Sequence, residues 1–163
     1  MNITLRNGLL LALALLLLAG LGCAKKQADT LTPSGEDELP LTESERQAAM
    51  SIGNGIIYFE YDSFNLDDNA KRTLTQKAPI IKEFPQLRVT IEGHCDERGT
   101  EEYNLALGER RARAAYEYLI NFGVSSGQLE MVSFGKLHPT VSGSGEGAWS
   151  KNRRDEFKAF KPR

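Results

Sequence analysis

The chain has 163 residues, with 20 basic against 22 acidic side chains, a net charge of −2 and 40% hydrophobic residues. That balance excludes a nucleic-acid binder, which needs a strongly basic surface. The two cysteines and two histidines fall in no Cys-x-x-Cys or His-Glu-x-x-His spacing, so neither a metal nor a cofactor is expected.

Taken in chain order, Arg6 precedes a leucine-dominated apolar run over 8–19 that ends in Gly20-Leu21-Gly22-Cys23. This has the form of an export signal over 1–22. The run is too short for a stable membrane span, which takes about 20 apolar residues. Residues 23–50 read as a flexible tether, rich in charged and small polar residues with Pro33 and Pro40 and little to bury. As a coil, such a tether has its ends roughly 30 Å apart. Its last part, 39–50, could form a short helix but is assigned to the tether.

Residues 51–163 read as a single domain. It carries 16 acids and 16 bases and is neutral overall. Alternation predicts a first strand over 56–61, with Ile57, Phe59 and Tyr61 on one face. A helix opening at Asp67 or Asp68 carries the stripe Ala70, Leu74, Ala78 and Ile81, with Pro79 expected to kink it or start a new segment. The spacing predicts a second strand over 87–94 and a long helix capped by Thr100 and stopped at Gly123. That helix is expected to bury Leu105, Ala112, Tyr116 and Leu119. A third strand over 129–134, a glycine-rich loop over 135–147 and a last strand over 155–160 complete an α/β pattern, a small sheet covered by two helices.

The candidate chemistry lies between the second strand and the long helix. Asn104 and Arg111 are one heptad apart, so they fall on one line of the helix and face the loop that holds Asp96. One fixed acid and one fixed base suit a zwitterion such as an amino-acid head. On the residues alone, an Asp96–Arg111 salt bridge that only pins the loop remains the alternative. His94 and Cys95, as neighbours at a strand end, point to opposite faces and do not share an ion or a reaction. Cys95 reads as a small buried packing residue, and no catalysis is expected. Arg153 and Arg154 alone read as a solvated pair at a helix end.

The order Gly-x-x-Asp from Gly93, then Tyr103-Asn104-x-x-Leu107-Gly108-x-Arg110-Arg111-Ala112, resembles the peptidoglycan-associated lipoproteins. These belong to the wider group of domains like the C-terminal half of outer-membrane protein A. The resemblance resumes at Ser150-Lys151-Asn152-Arg153-Arg154, although the commonly apolar next residue is here Asp155. It implies an α+β fold with a mixed four-stranded sheet. The residues matching Asp96 and Arg111 would hold the diaminopimelate of the peptidoglycan stem peptide, with Asp62, Ser63, Asn104 and Arg154 completing the pocket. Small residues before Cys23 resemble a lipobox, although the usual leucine three places before the cysteine is Gly20 here. Cys23 would then be palmitoylated and anchored in the outer membrane, leaving Cys95 as the lone thiol; an ordinary secretory signal is the alternative. The resemblance further implies a place in the Tol–Pal system of envelope integrity and cell division, with TolB and other Tol proteins as partners. A peptidoglycan-modifying enzyme and a flagellar-stator type of wall anchor are the rival readings.

Overall fold

Four strands, β1 (Ile57–Tyr58), β2 (Arg88–His94), β3 (Leu129–Gly135) and β4 (Arg154–Phe160), form one sheet in the order β1-β4-β2-β3. The computed structural model describes residues 38–163; the signal segment, Cys23 and tether residues 24–37 lie outside the described residues. β2 and β3 are parallel, whereas β4 is antiparallel to both β2 and β1. The sheet is therefore mixed, as the resemblance implied. A parallel pair needs a crossover, and α3 (Glu101–Asn121) supplies it, lying against both strands. α2 (Asp68–Glu83) packs on α3 and β1, α1 (Glu43–Gly53) packs on β4 and α2, and a short α4 (Glu146–Asn152) leads into β4.

Local chemistry explains the helix ends. The Thr100 hydroxyl accepts from the Tyr103 amide at 3.2 Å at the start of α3. At the other end Gly123 takes φ +82°, its amide donates to Ile120 and that of Val124 to Leu119. This is the Schellman pattern, which a residue without a Cβ adopts at no steric penalty. The core joins Ile57, Val89, Ile91 and Phe157 of the sheet to Leu74, Ile81, Ala112, Ala115 and Leu119 of the helices.

Four expectations need correction. Residues 43–53 are helix and not tether: Thr42 and Glu45 form a reciprocal capping box, and Ala48 and Ile52 are buried. Glu45 also accepts from Lys161 at 2.9 Å and Gln86 at 2.8 Å, which docks the helix on the domain. The first strand is short: it pairs with β4 at Asp155 and Arg154, and a last backbone bond runs from the Phe59 amide to the Arg153 carbonyl at 3.0 Å. Beyond them, the carbonyls of Phe59 and Glu60 accept from the guanidinium groups of Arg153 and Arg111, and Tyr61 is exposed. Pro79 starts no new segment; α2 runs through it, with Leu74, Ala78 and Ile81 buried on both sides of the proline. In α3, Leu107 is buried where Leu105 was expected, and Tyr116 is only half-buried.

One close approach positions the site. Gly93 of β2 and Gly108 of α3 touch backbone to backbone, and a Cβ on Gly93 would run into the Gly108 carbonyl. The helix can therefore lie on the strand closely enough for Arg111, less than one turn further on, to reach under the strand's end.

Candidate functional site

A cavity of about 420 Å³ opens where β2 ends, between the loop after β1, the loop over 95–99 and the first half of α3. Asp96, Arg111, Asp62 and Asn104 line it, as do Arg98, Tyr61, Tyr103 and Arg153. The sequence thus brings Asp96 and Arg111 to one place, but not to each other. Among the described residues, the Asp96–Arg111 salt bridge that would merely pin the loop does not form; each side chain is held by other groups.

Arg111 is fully buried. Its Nε donates to the Ser63 carbonyl at 2.8 Å, Nη1 to the His94 carbonyl at 2.8 Å, and Nη2 to the Glu60 carbonyl at 3.2 Å. Nη1 also reaches Cys95 Sγ at 3.4 Å. A guanidinium has five N–H donors, so these contacts leave one. Burial works against its charge and lowers its pKa. Three carbonyl dipoles offset that penalty, and the ring of Phe59 lies 5.0 Å from the guanidinium carbon.

Asp96 is also buried, but among cations. Its Oδ1 accepts from the Arg98 amide and Arg98 Nε, both at 3.1 Å. Its Oδ2 accepts from Arg98 Nη2 at 2.6 Å and Arg153 Nη1 at 3.3 Å. Burial pushes the Asp96 pKa up, but the hydrogen bonds from Arg98 and Arg153 outweigh it and hold the carboxyl below its ordinary value. The Arg98 guanidinium lies between two aromatic rings, 3.9 Å from that of Tyr61 and 4.0 Å from that of Trp149. Glu97 fixes Trp149 by accepting from its indole N–H at 3.0 Å. A cationic group of the protein itself therefore sits on the acid, in an aromatic slot.

The remaining expected residues divide. Asp62 stands at the cavity with φ +52° and accepts from the Tyr103 hydroxyl. Ser63 contributes its carbonyl to Arg111, while its own hydroxyl accepts from the Asn65 amide at 3.1 Å. Asn104 donates to the carbonyls of Arg98 at 2.7 Å and Thr100 at 2.9 Å, and so shapes the loop. Arg154 is a correction. It is buried, bonded to Glu156 at 2.6 Å and to the carbonyls of Asn152 and His138, and does not line the cavity. Arg153 lines it instead, because Arg153 shares strand parity with the inward-facing Phe157. That parity was readable in advance from Phe157 and Ala159. Arg98, two residues after Asp96, and Trp149 carried no signal.

Two further groups bear on chemistry. Cys95 donates to the Asn104 carbonyl at 3.3 Å, and burial pushes its thiol up to about 11. It is therefore a thiol at neutral pH, the form that is not nucleophilic. Asp155 is fully buried in the helix-facing layer with both carboxylate oxygens unbonded among the described residues. Burial raises its pKa well above the ordinary value, against the pull of Arg111.

A sequence model of the OmpA family matches residues 58–153. The peptidoglycan-associated lipoprotein of Pseudomonas aeruginosa is 41% identical, over 94% of this chain and 98% of its own length. That of Mesorhizobium japonicum is 38% identical, over 91% and 89%. The crystal structure of the peptidoglycan-associated lipoprotein from Burkholderia pseudomallei superposes with a TM-score of 0.65 at 40% identity, covering 67% of this chain and 92% of that one. The C-terminal domain of Helicobacter pylori MotB shares the fold at 24% identity and a TM-score of 0.60, covering 64% and 82%.

Proposed function

The chain belongs to the OmpA family and, within it, to the peptidoglycan-associated lipoproteins, and from that premise we propose that it is a non-catalytic tether between the outer membrane and the cell wall. The anchor is a lipidated Cys23, and the grip is the cavity at the end of β2. Its ligand is the diaminopimelate of a stem peptide, with the free ammonium directed to Asp96 and the carboxylate to Arg111. One observation carries this reading: a buried acid and a buried base face the same cavity without neutralising each other.

The hydrogen-bond inventory defines how such a ligand enters. Asp96 offers about four acceptor sites, and Arg98 and Arg153 occupy them. An ammonium binds by displacing Arg98, the more exposed of the two. The ligand carboxylate takes the remaining N–H of Arg111. Each charge-assisted bond contributes about 1.5–3 kcal/mol, whereas immobilising the ligand costs at least about 4 kcal/mol. Affinity at one site is therefore modest. The anchor and the repeated stem peptide raise the effective concentration, so the tether holds yet exchanges. Cys95, buried and a thiol at neutral pH, supports binding without turnover. Residence in the Tol–Pal system, contact with TolB and a part in division belong to the same proposal.

The test is co-sedimentation with purified sacculi, with NMR titration of a diaminopimelate-containing stem peptide. Asp96→Asn removes the acid's charge and keeps its size, and is expected to weaken binding by about 2–5 kcal/mol with the fold retained. Unchanged sedimentation by the folded variant refutes the site. Mass spectrometry of the mature N-terminus tests the anchor separately: a triacylated Cys23 is expected, and an intact Met1 refutes it.

A further inference from the structure

Strand alternation sends Glu92 and His94 of β2, and Arg154, Glu156 and Lys158 of β4, to the sheet face opposite the helices. Glu92 and Glu156 are direct cross-strand partners, an arrangement in which two like charges ordinarily repel. His94 sits beside them, 97% buried, and among the described residues both of its ring nitrogens lack a hydrogen-bond partner. Buried polar atoms without partners are rare, and each calls for a missing ion, a water or a chemical role. The ligand atoms of Glu92, His94 and Glu156 all lie within 4.8 Å of one another, with His94 Nε2 3.9 Å from Glu92 Oε2.

We propose that Glu92, His94 and Glu156 bind one divalent transition-metal ion, zinc in preference, clamping β2 to β4 on the face away from the cavity. Imidazole with two carboxylates is a borderline ligand set that suits zinc. Zinc bonds of about 2.0–2.2 Å place tetrahedral ligand atoms about 3.3 Å apart, so small side-chain rotations close the set. The neighbouring cations orient the ligands without filling them. Lys158 holds Glu92 by Oε1 at 2.8 Å, and Arg154 holds Glu156 by Oε1 at 2.6 Å. The second oxygen of Glu92 is the one that faces His94. Phe134 stacks on the imidazole, with ring centroids 5.4 Å apart, and fixes its plane. Two carboxylates neutralise the ion, and Lys158, which is largely exposed, can turn into water.

The experiment uses the full chain, stripped with chelator and titrated with zinc chloride by calorimetry. Cobalt(II) absorption provides an independent readout of a low-coordinate site. One equivalent of saturable binding and a zinc-dependent rise in Tm are expected. Glu156→Gln, at a half-exposed position, and His94→Gln should each weaken binding by at least about 100-fold. His138→Ala and Asp96→Asn should leave it unchanged. Absence of saturable uptake by the native chain overturns the proposal, whether a water or nothing fills the site. Full uptake retained in folded Glu156→Gln overturns it too, as does loss confined to His138→Ala.

Discussion

The two faces of the sheet treat buried polarity in opposite ways. On the helix-facing side, at the end of β2, the charges that line the cavity are already engaged: Arg111 by carbonyls, and Asp96 by Arg98 and Arg153. On the opposite face, His94 keeps two unbonded nitrogens beside two carboxylates. The first arrangement is a site stocked with internal stand-ins, where a ligand competes with the protein's own arginine. The second is a set of donors and acceptors that no part of the described chain completes. Burial alone therefore does not mark a ligand site; what matters is whether the fold itself answers the buried group. Asp155 extends the contrast. It too lacks a hydrogen-bond partner among the described residues, but it lies on the helix-facing side with no second carboxylate or imidazole beside it, and it is held towards its neutral form.

Removing the engaged cation has the largest expected effect. Arg111→Ala removes the guanidinium donor from the carbonyls of Glu60, Ser63 and His94. The buried His94 carbonyl left without it costs roughly 1–3 kcal/mol, and emptying so large a buried side chain adds a cavity cost of about 2–5 kcal/mol. Urea unfolding should show a loss of at least about 3 kcal/mol, so Arg111 holds the fold as well as facing the ligand. An equally stable variant would mean that these carbonyls are satisfied otherwise. Next in size, Gly93→Ala forces β2 away from Gly108. It should cost roughly 1–3 kcal/mol, as overpacking does, and should perturb the NMR signals of the 95–99 loop more than those of the opposite face.

Asp155→Ala tests the sealed orphan in the other direction. Deleting a buried, unbonded carboxylate should raise stability by about 1–2 kcal/mol, measured as a higher urea midpoint with an unchanged m-value. The smallest effect belongs to Glu45, a buried acid that is fully answered. The Lys161 ammonium, the Thr42 amide and Gln86 lower its pKa from 4.5 to about 2. A depressed carboxyl contributes stability above its unfolded pKa and loses it as pH falls through the folded value. Its contribution should therefore hold above pH 4.5 and fade towards pH 2. Acid titration of Tm in Glu45→Gln should lack that part of the slope.

How much was legible follows from the range of each interaction. The Thr100 cap, the Gly123 stop and the stripe of α2 are set by residues within one or two turns, and the sequence pattern carries them. Asp96 and Arg111 were placed at one cavity because a strand end and a helix line are local periodicities. The capping box of Thr42 and Glu45 is equally local, but that the helix it opens belongs to the domain and not to the tether depends on β4, α2 and Lys161, which receive it from far along the chain. Strand parity, which Phe157 defines, turns Arg153 and not Arg154 towards the cavity.

The chain by itself determined the helix caps, the apolar faces and the meeting of one acid with one base at the end of β2, since each depends on neighbours a few residues away. Tertiary packing settles which groups answer that acid and that base, and which buried orphan lies beside two carboxylates. Arg98 is near Asp96 in sequence, but its aromatic slot needs Tyr61 and Trp149. The cluster on the far face needs β4 laid against β2. No local pattern encodes contacts between such distant residues; packing and strand register create them.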